Sequence, residues 1–309
     1  MKLTAAQIGL ERISPSQLDC YEQCPRLFYY RDWLKLTLDQ DKIHLDYGTA
    51  IHAALEFVYT EYDNNFGGGW QAGNFDKVVD AFLMYWKQHH VSEASYEKVA
   101  RTKFGQEMGF KNKEALYEYM KEDGIKMLKS YWDNKELLLT KHGIDLVEFE
   151  IPMRVPMINP SKPDERLPIP LSLRIDAETR NKLKGVDFKT SKSKYDPVET
   201  RKKIQGQCYC FAKGYREFDY IVLRKDLKSD DRIEVVSLVY DEADMQAFYH
   251  RVEAILANIS QRNFDKPMRG HANYCDCIKY EELLSVRGIS LNPVLSKESM
   301  DAAKKQLSS

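Results

Sequence analysis

Apolar residues alternate along the second half of the chain and do not along the first. "DLVEFEIPMRVPM", "LPIPLSLRIDAE", "LKGVDFKTS", "FDYIVLRK" and "RIEVVSLVYD" place them at every second position or in short runs bounded by turn residues, which predicts five strands. Earlier in the chain they recur at three- and four-residue spacing. "SPSQLDCYEQCPRLFYYRDWL", opened by a Ser14-Pro15 cap, "YGTAIHAALEFVYTEY", residues 76–90 and residues from about 107 to 140 therefore predict amphipathic helices. "DNNFGGGWQAGNF" reads as a glycine-rich loop. One more helix, "DPVETRKKIQGQCYCFAKGY", follows the third strand, and another, "DEADMQAFYHRVEAILANI", follows the fifth. This order predicts an α/β fold, a mixed sheet flanked by helices behind a helical N-terminal half.

The alternation sorts charges as well as apolar residues. Asp187 and Lys189 share one face of the third strand, while Val186 and Phe188 share the other. On the preceding strand Ile169, Leu171, Leu173, Ile175 and Ala177 form the apolar face, leaving Arg174 and Asp176 on the polar one. A two-residue turn at Asn181-Lys182 sets Asp176 opposite Asp187, Ile175 opposite Phe188 and Ala177 opposite Val186. Directly opposed carboxylates repel unless a cation sits between them, and Mg²⁺ or Mn²⁺ suits such an oxygen pair. Lys189 beside that ion could orient water and offset charge growing on a phosphate. A solvated hairpin of mixed charge shows the same alternation.

Other candidates lie nearby in the predicted order. His52 in "GTAIHAAL" is a possible ligand or proton acceptor, or a packed core residue. Gln205 and Tyr209, four apart, share a helix face. Glu148 in "LVEFEIP" is a further candidate carboxylate.

Composition adds limits. An apolar content of 43% fills a substantial core, and no apolar run long enough to cross a membrane or to serve as a signal peptide occurs, so a cytoplasmic protein with no membrane partner is expected. With 46 basic against 47 acidic residues, any polyanion site must be a local patch. Lys192, Lys194, Arg201, Lys202 and Lys203 form one just after the third strand, a candidate for salt-sensitive contact with DNA phosphates. Phe28, Tyr29, Tyr30 and Trp33 could stack on bases, although their spacing suits core packing better. The six cysteines fall into three close pairs, Cys20 with Cys24, Cys208 with Cys210, and Cys275 with Cys277.

Together, "SPSQLDCYEQCPRLFYY", "GTAIH", "RIDAE", "GVDFKTS" and "QGQCY", in that order, resemble the RecB-like branch of the PD-(D/E)XK nuclease superfamily. They are similar to the CRISPR-associated exonucleases and to the nuclease domains of bacterial recombination helicase-nucleases. The resemblance implies a restriction-endonuclease-like sheet and an active site of His52, Asp176, Asp187, Lys189, Gln205 and Tyr209, with Asp176, Asp187 and His52 as ligands of Mg²⁺ or Mn²⁺. The implied activity is metal-dependent hydrolysis of single-stranded or duplex DNA ends in recombination, repair or phage DNA processing, within a bacterial or phage-infected cell. A flap or branched-DNA endonuclease and a non-catalytic DNA-binding or assembly protein are the alternatives. With no GxxxxGK[ST] loop in the sequence, any motor would come from a helicase or recombination partner. Many relatives hold an iron–sulfur cluster with one cysteine from a C-P-R segment and three near the C-terminus. Here Cys24 matches the first, but the C-terminal group is incomplete, with only Cys275 and Cys277; Cys20 or His271 could complete the set, and the expected group is a [4Fe–4S] cluster or Zn²⁺, against free buried thiols. Because both ends contribute motifs, residues 1–309 read as one nuclease domain, with 60–140 a helical elaboration and 141–265 the sheet-containing catalytic core.

Overall fold

The computed structural model describes residues 3–38, 43–66, 74–225, 231–266 and 275–286, without the side chains of 58–66 and 147–149. Most of the glycine-rich loop, His271 and the side chain of Glu148 lie outside the described residues. Helices α1 (Ala5–Ile8), α2 (Pro15–Gln23) and α3 (Pro25–Phe28) and a π-helical turn (Tyr29–Trp33) come first. Then follow α4 (Ile43–Phe66), α5 (Phe75–Trp86), α6 (Glu93–Ala100), α7 (Lys103–Met108) and α8 (Lys113–His142). Strands β1 (Leu146–Val155), β2 (Ile158–Asn159), β3 (Lys162–Arg166), β4 (Leu171–Thr179) and β5 (Lys184–Ser191) precede α9 (Pro197–Arg201) and α10 (Ile204–Lys213). β6 (Glu217–Arg224), β7 (Ile233–Val239), α11 (Glu242–Ser260) and α12 (Cys277–Val286) complete the order.

The main sheet runs β1-β4-β5-β6-β7, with β5 and β6 parallel and the other neighbours antiparallel; β2 and β3 form a separate ribbon. The expected mixed sheet flanked by helices is therefore present. The helix pair α9–α10 makes the crossover that a parallel pair requires.

Two of the helices expected from periodicity are interrupted. α2 begins at the expected cap, where Ser14 and Gln17 bond reciprocally, but it stops at Cys24, whose backbone is extended at φ −157° and ψ 100°. Cys24 precedes Pro25, and the proline ring disfavours helical backbone at the residue before it. The helix expected over 196–215 breaks at Lys203, extended at φ −64° and ψ 132°, so that α10 starts in a new direction. No breaker residue stands there; the packing of α10 on the sheet overrides propensity.

The β4–β5 register pairs Ala177 with Val186 and Glu178 with Gly185, as expected. The connection is wider than two residues, spanning 180–183, with Lys182 in the left-handed region at φ 55° and its N–H bonded to Thr179 O at 2.8 Å.

Two cores cover the sheet. Leu171, Leu173, Ile175, Phe218 and Tyr220 pack with α2, α10, α11 and α12; Ala177, Val186, Phe188 and Ile221 pack with α4, α5 and α8. Ile175 and Ala177 thus belong to different cores, and Asp176 lies between them. Phe28, Tyr29 and Tyr30 are buried in the first core, which leaves them no open face for a base.

Candidate active site

The β4–β5 ladder ends at Ala177 and Val186. Beyond it, Asp176 Oδ2 accepts the backbone N–H of Phe188 at 3.0 Å. A side chain thus takes the place of a strand partner, and the two strands part around the candidate site.

Asp187 points from β5 toward α10 and is fully buried. Its Oδ1 accepts from Gln205 Nε2 at 2.6 Å, and the same amide donates to Tyr209 Oη at 2.8 Å. Asp187 Oδ2 is paired with the Lys189 ammonium, Nζ to Oδ2 2.5 Å. Gln205 and Tyr209 share one face of α10, as their spacing requires. The helix approaches the sheet closely at Gly206, whose N–H bonds to Tyr220 Oη at 3.1 Å.

On the other side of the strands, α4 presents His52, with Nδ1 3.5 Å from Asp176 Oδ2 and the ring edge-on to Phe188. Glu150 joins them. One ligand atom each from His52, Glu150 and Asp176 lies within 4.8 Å of the others. Phe149 pairs with Ala177 and Ile151 with Ile175, so Glu150 falls opposite Asp176. Its φ of +50° follows an irregularity in β1 between Leu146 and Glu148. Arg174 Nη1 contacts Glu150 Oε2 at 3.0 Å. Sequence reasoning singled out Glu148 and missed Glu150, whose place opposite Asp176 depends on the β1–β4 register.

Burial, and then the charge of Asp187, raises the Asp176 carboxyl well above the usual carboxylate range. Burial also lowers His52, leaving a neutral imidazole near pH 7. Burial would lower Lys189 too, but Asp187 and Asp176 outweigh it and hold the ammonium above its ordinary value. Tyr209 is raised by burial and by Asp187, so it stays a phenol.

A crowded acidic site whose carboxyl at Asp176 is pushed toward protonation by burial and by Asp187 suits a hard divalent cation, which relieves that repulsion. His52, Glu150 and Asp176 form the compact donor group. Asp187 stands beside it, tied to Lys189 and Gln205, and is not a member of that group.

Lys189, Gln205 and Tyr209 open onto a cavity of about 830 Å³ that Ser16, Asp19 and Arg174 also line. Lys203 lines it too, its ammonium 3.6 Å from the centre of the Tyr195 ring. Lys192 lies instead at a neighbouring cavity of about 470 Å³, 3.9 Å over Phe104, with His44, Lys103 and Lys225. Arg201 is paired with Asp244 and Lys202 with Glu199, both at 2.7 Å, and Lys194 is exposed. Of the five basic residues, Lys203 is thus the one brought to the larger cavity.

The sulfurs of Cys24, Cys275 and Cys277 come together; Cys20, buried nearby in sequence, is outside that group. Cys208 and Cys210 are buried on α10. No described helix is long and apolar enough to cross a membrane.

A family model of the PD-(D/E)XK nuclease superfamily matches residues 12–280. No curated protein matches the sequence. Among solved structures the chain is similar to an alkaline exonuclease from Laribacter hongkongensis (15% identity, 50% of this chain and 70% of that one, TM-score 0.27). It is also similar to SSO0001 (14% identity, 72% and 99%, TM-score 0.28). A third is a phage related exonuclease from Haemophilus somnus 129PT (14% identity, 57% and 96%, TM-score 0.28). These likenesses are too remote to bear on activity.

Proposed function

The chain belongs to the PD-(D/E)XK nuclease superfamily, and on that premise we propose that it is a divalent-cation-dependent exonuclease hydrolysing phosphodiester bonds at DNA ends. What supports this is the convergence of Asp176, Asp187, Lys189, His52, Gln205 and Tyr209, drawn from α4, two strands and α10, at the point where β4 and β5 part.

Asp176, Glu150 and His52 would hold Mg²⁺ or Mn²⁺, with Asp187 adjoining. The bound cation supplies Lewis-acid polarisation of the scissile phosphate and neutralises charge on it. Lys189, kept as an ammonium by its carboxylate neighbours, orients water and stabilises the charge that grows on the phosphate. Gln205 fixes Asp187 Oδ1 and holds the Tyr209 phenol, so neither carboxylate nor ring swings into the cavity. His52, neutral, keeps a nitrogen lone pair for the cation or for a proton. Arg174 and Lys203 on the cavity wall contact backbone phosphates, and Lys192 extends that contact toward the second cavity.

The recessed position of Asp187 favours a frayed end or a single strand over an intact duplex. Such an enzyme serves recombination, repair or phage DNA processing, with strand opening left to a separate helicase. The test compares end-labelled linear DNA, single-stranded and duplex, with closed circles in Mg²⁺, Mn²⁺ or EDTA. Nucleotide release from linear substrates alone, abolished by EDTA, is the expected result. Cutting of circles replaces the exonuclease with a structure-specific endonuclease. DNA binding without cleavage on any substrate replaces it with an assembly protein.

A further inference from the structure

Cys24 stands at the break between α2 and α3, while Cys275 and Cys277 stand at the start of α12, near the other end of the chain. Their sulfurs nevertheless lie within 4.8 Å of one another, and none is in a disulfide. Two backbone donors point at them: Leu27 N–H to Cys24 Sγ at 3.2 Å and Cys277 N–H to Cys275 Sγ at 3.4 Å. N–H donors of this kind stabilise thiolates, the form in which sulfur binds metal.

The spacing discriminates between metal groups. Around one tetrahedral Zn²⁺ with Zn–S bonds of about 2.3 Å, the sulfurs sit roughly 3.8 Å apart. In a [4Fe–4S] cluster each cysteine sulfur binds a different corner of the cube, which holds the sulfurs roughly 6 Å apart and calls for four of them. Three sulfurs within 4.8 Å fit the single ion and are too close for the cube. Among the described residues no fourth cysteine, histidine or carboxylate joins the group, and Cys20 does not.

We propose that Cys24, Cys275 and Cys277 hold one Zn²⁺, not an iron–sulfur cluster, as a clasp between the two ends of the chain. The fourth coordination position falls to water or to another small ligand. Apart from metal, α12 meets the N-terminal segment through Tyr280 stacked on Tyr30, Tyr280 Oη donating to Leu36 O at 3.2 Å, and Tyr30 Oη donating to Glu281 Oε1 at 3.4 Å. A metal cross-link adds folding free energy because the unfolded chain offers no assembled site. It also braces the wall that matters for the chemistry: α2, which ends at Cys24, contributes Pro15, Ser16, Asp19 and Gln23 to the cavity that holds Lys189 and Gln205.

The proposal is independent of the nuclease reading, and metal content tests it. The full chain is produced in iron-supplemented medium, purified without oxygen, and analysed for iron and zinc; a second preparation is exchanged with Co²⁺. The expected result is one zinc and no iron per chain, with the cobalt form showing a thiolate charge-transfer band and ligand-field bands of a tetrahedral ion. Cys24→Ser and Cys275→Ser lose the zinc and lower the Tm, while Cys208→Ser, a buried thiol outside the group, keeps one zinc per chain. Cys275 is only half-buried, so its variant folds even where Cys24→Ser does not. A brown protein with several irons per chain overturns the proposal. So does a protein free of metal in both preparations, or zinc that survives Cys275→Ser.

Discussion

The backbone N–H of Phe188 donates to Asp176 Oδ2 at 3.0 Å, so the residue that begins the parting of β4 from β5 is also one whose carboxyl is held well above the usual carboxylate range by burial and by Asp187. Asp176 is placed by the strand partner it replaces. An acid held this way cannot swing away from Asp187, His52 or Glu150, and it meets their charges in a fixed arrangement.

Asp176 should therefore make the metal-free protein less stable as pH rises. Its folded pKa is raised by burial and by Asp187, so the folded state keeps a proton that the unfolded chain has already lost. The associated stability is complete below the unfolded carboxyl pKa of about 4 and is lost as pH climbs toward the raised folded value. In EDTA, Asp176→Asn should flatten that decline and raise the Tm near pH 7, by about 2–4 °C for each kcal/mol of repulsion relieved. Mg²⁺ should raise the Tm of the parent and not of the variant. Thermal scans across pH with and without Mg²⁺ read both effects.

The Gln205 amide donates one N–H to Asp187 and the other to Tyr209. Gln205→Ala should weaken apparent Mg²⁺ affinity by about 10–100-fold, the usual effect of losing a residue that orients a ligand environment. Tyr209→Phe should cost less, because the ring still packs on Phe218. Gln205→Glu, which adds a fourth carboxylate to Glu150, Asp176 and Asp187, should be the most damaging. Metal titrations of cleavage rank the three.

Glu150 shares the ligand group with His52 and Asp176. Glu150→Gln should raise the Mg²⁺ concentration for half-maximal activity about 10-fold or more while leaving DNA binding in EDTA unchanged. Fluorescence anisotropy in EDTA, beside activity against Mg²⁺, separates these two quantities.

Much of this arrangement is legible in the sequence because a strand's period of two leaves little freedom. Alternation put Asp176, Asp187 and Lys189 on one face; the pairs Ala177–Val186 and Glu178–Gly185 keep the expected register although the turn spans 180–183 instead of two residues, while the expected pairings of Asp176 with Asp187 and of Ile175 with Phe188 are replaced by the bond from Phe188 N–H to Asp176. The pattern of buried residues, more than turn chemistry, sets that register. Glu150 was hidden because a local irregularity in β1 and a left-handed backbone at Glu150 itself decide its position, and neither leaves a periodic trace. The break at Cys24 was readable, since Pro25 announces it. The break at Lys203 was not, because it comes from the fit of α10 against β6. Three cysteines distant in sequence were legible as candidates, but their separation, which distinguishes one ion from a cube of four, is a property of the fold.

Gly206 makes that fit possible. A Cβ there would stand 2.9 Å from Tyr240 Oη and 3.3 Å from both Phe218 and Tyr220 Oη. Gly206→Ala should lower stability by about 1–3 kcal/mol through overpacking. It should also lower activity at temperatures where the protein is still folded, because the displaced helix carries Gln205 and Tyr209. Denaturant melts and assays well below the Tm check the two effects separately.

The proposed function requires Asp187, anchored by Gln205 and paired with Lys189, to belong to a cation-dependent phosphodiester-cleaving site. Its most direct test is nucleotide release from end-labelled linear DNA by the parent and by Asp187→Ala, each in Mg²⁺, Mn²⁺ and EDTA, with folding checked by circular dichroism. Release by the parent with either cation, none in EDTA, and a loss of at least about 10²-fold in the folded variant are the expected results. Equal release by parent and variant would contradict the proposed function.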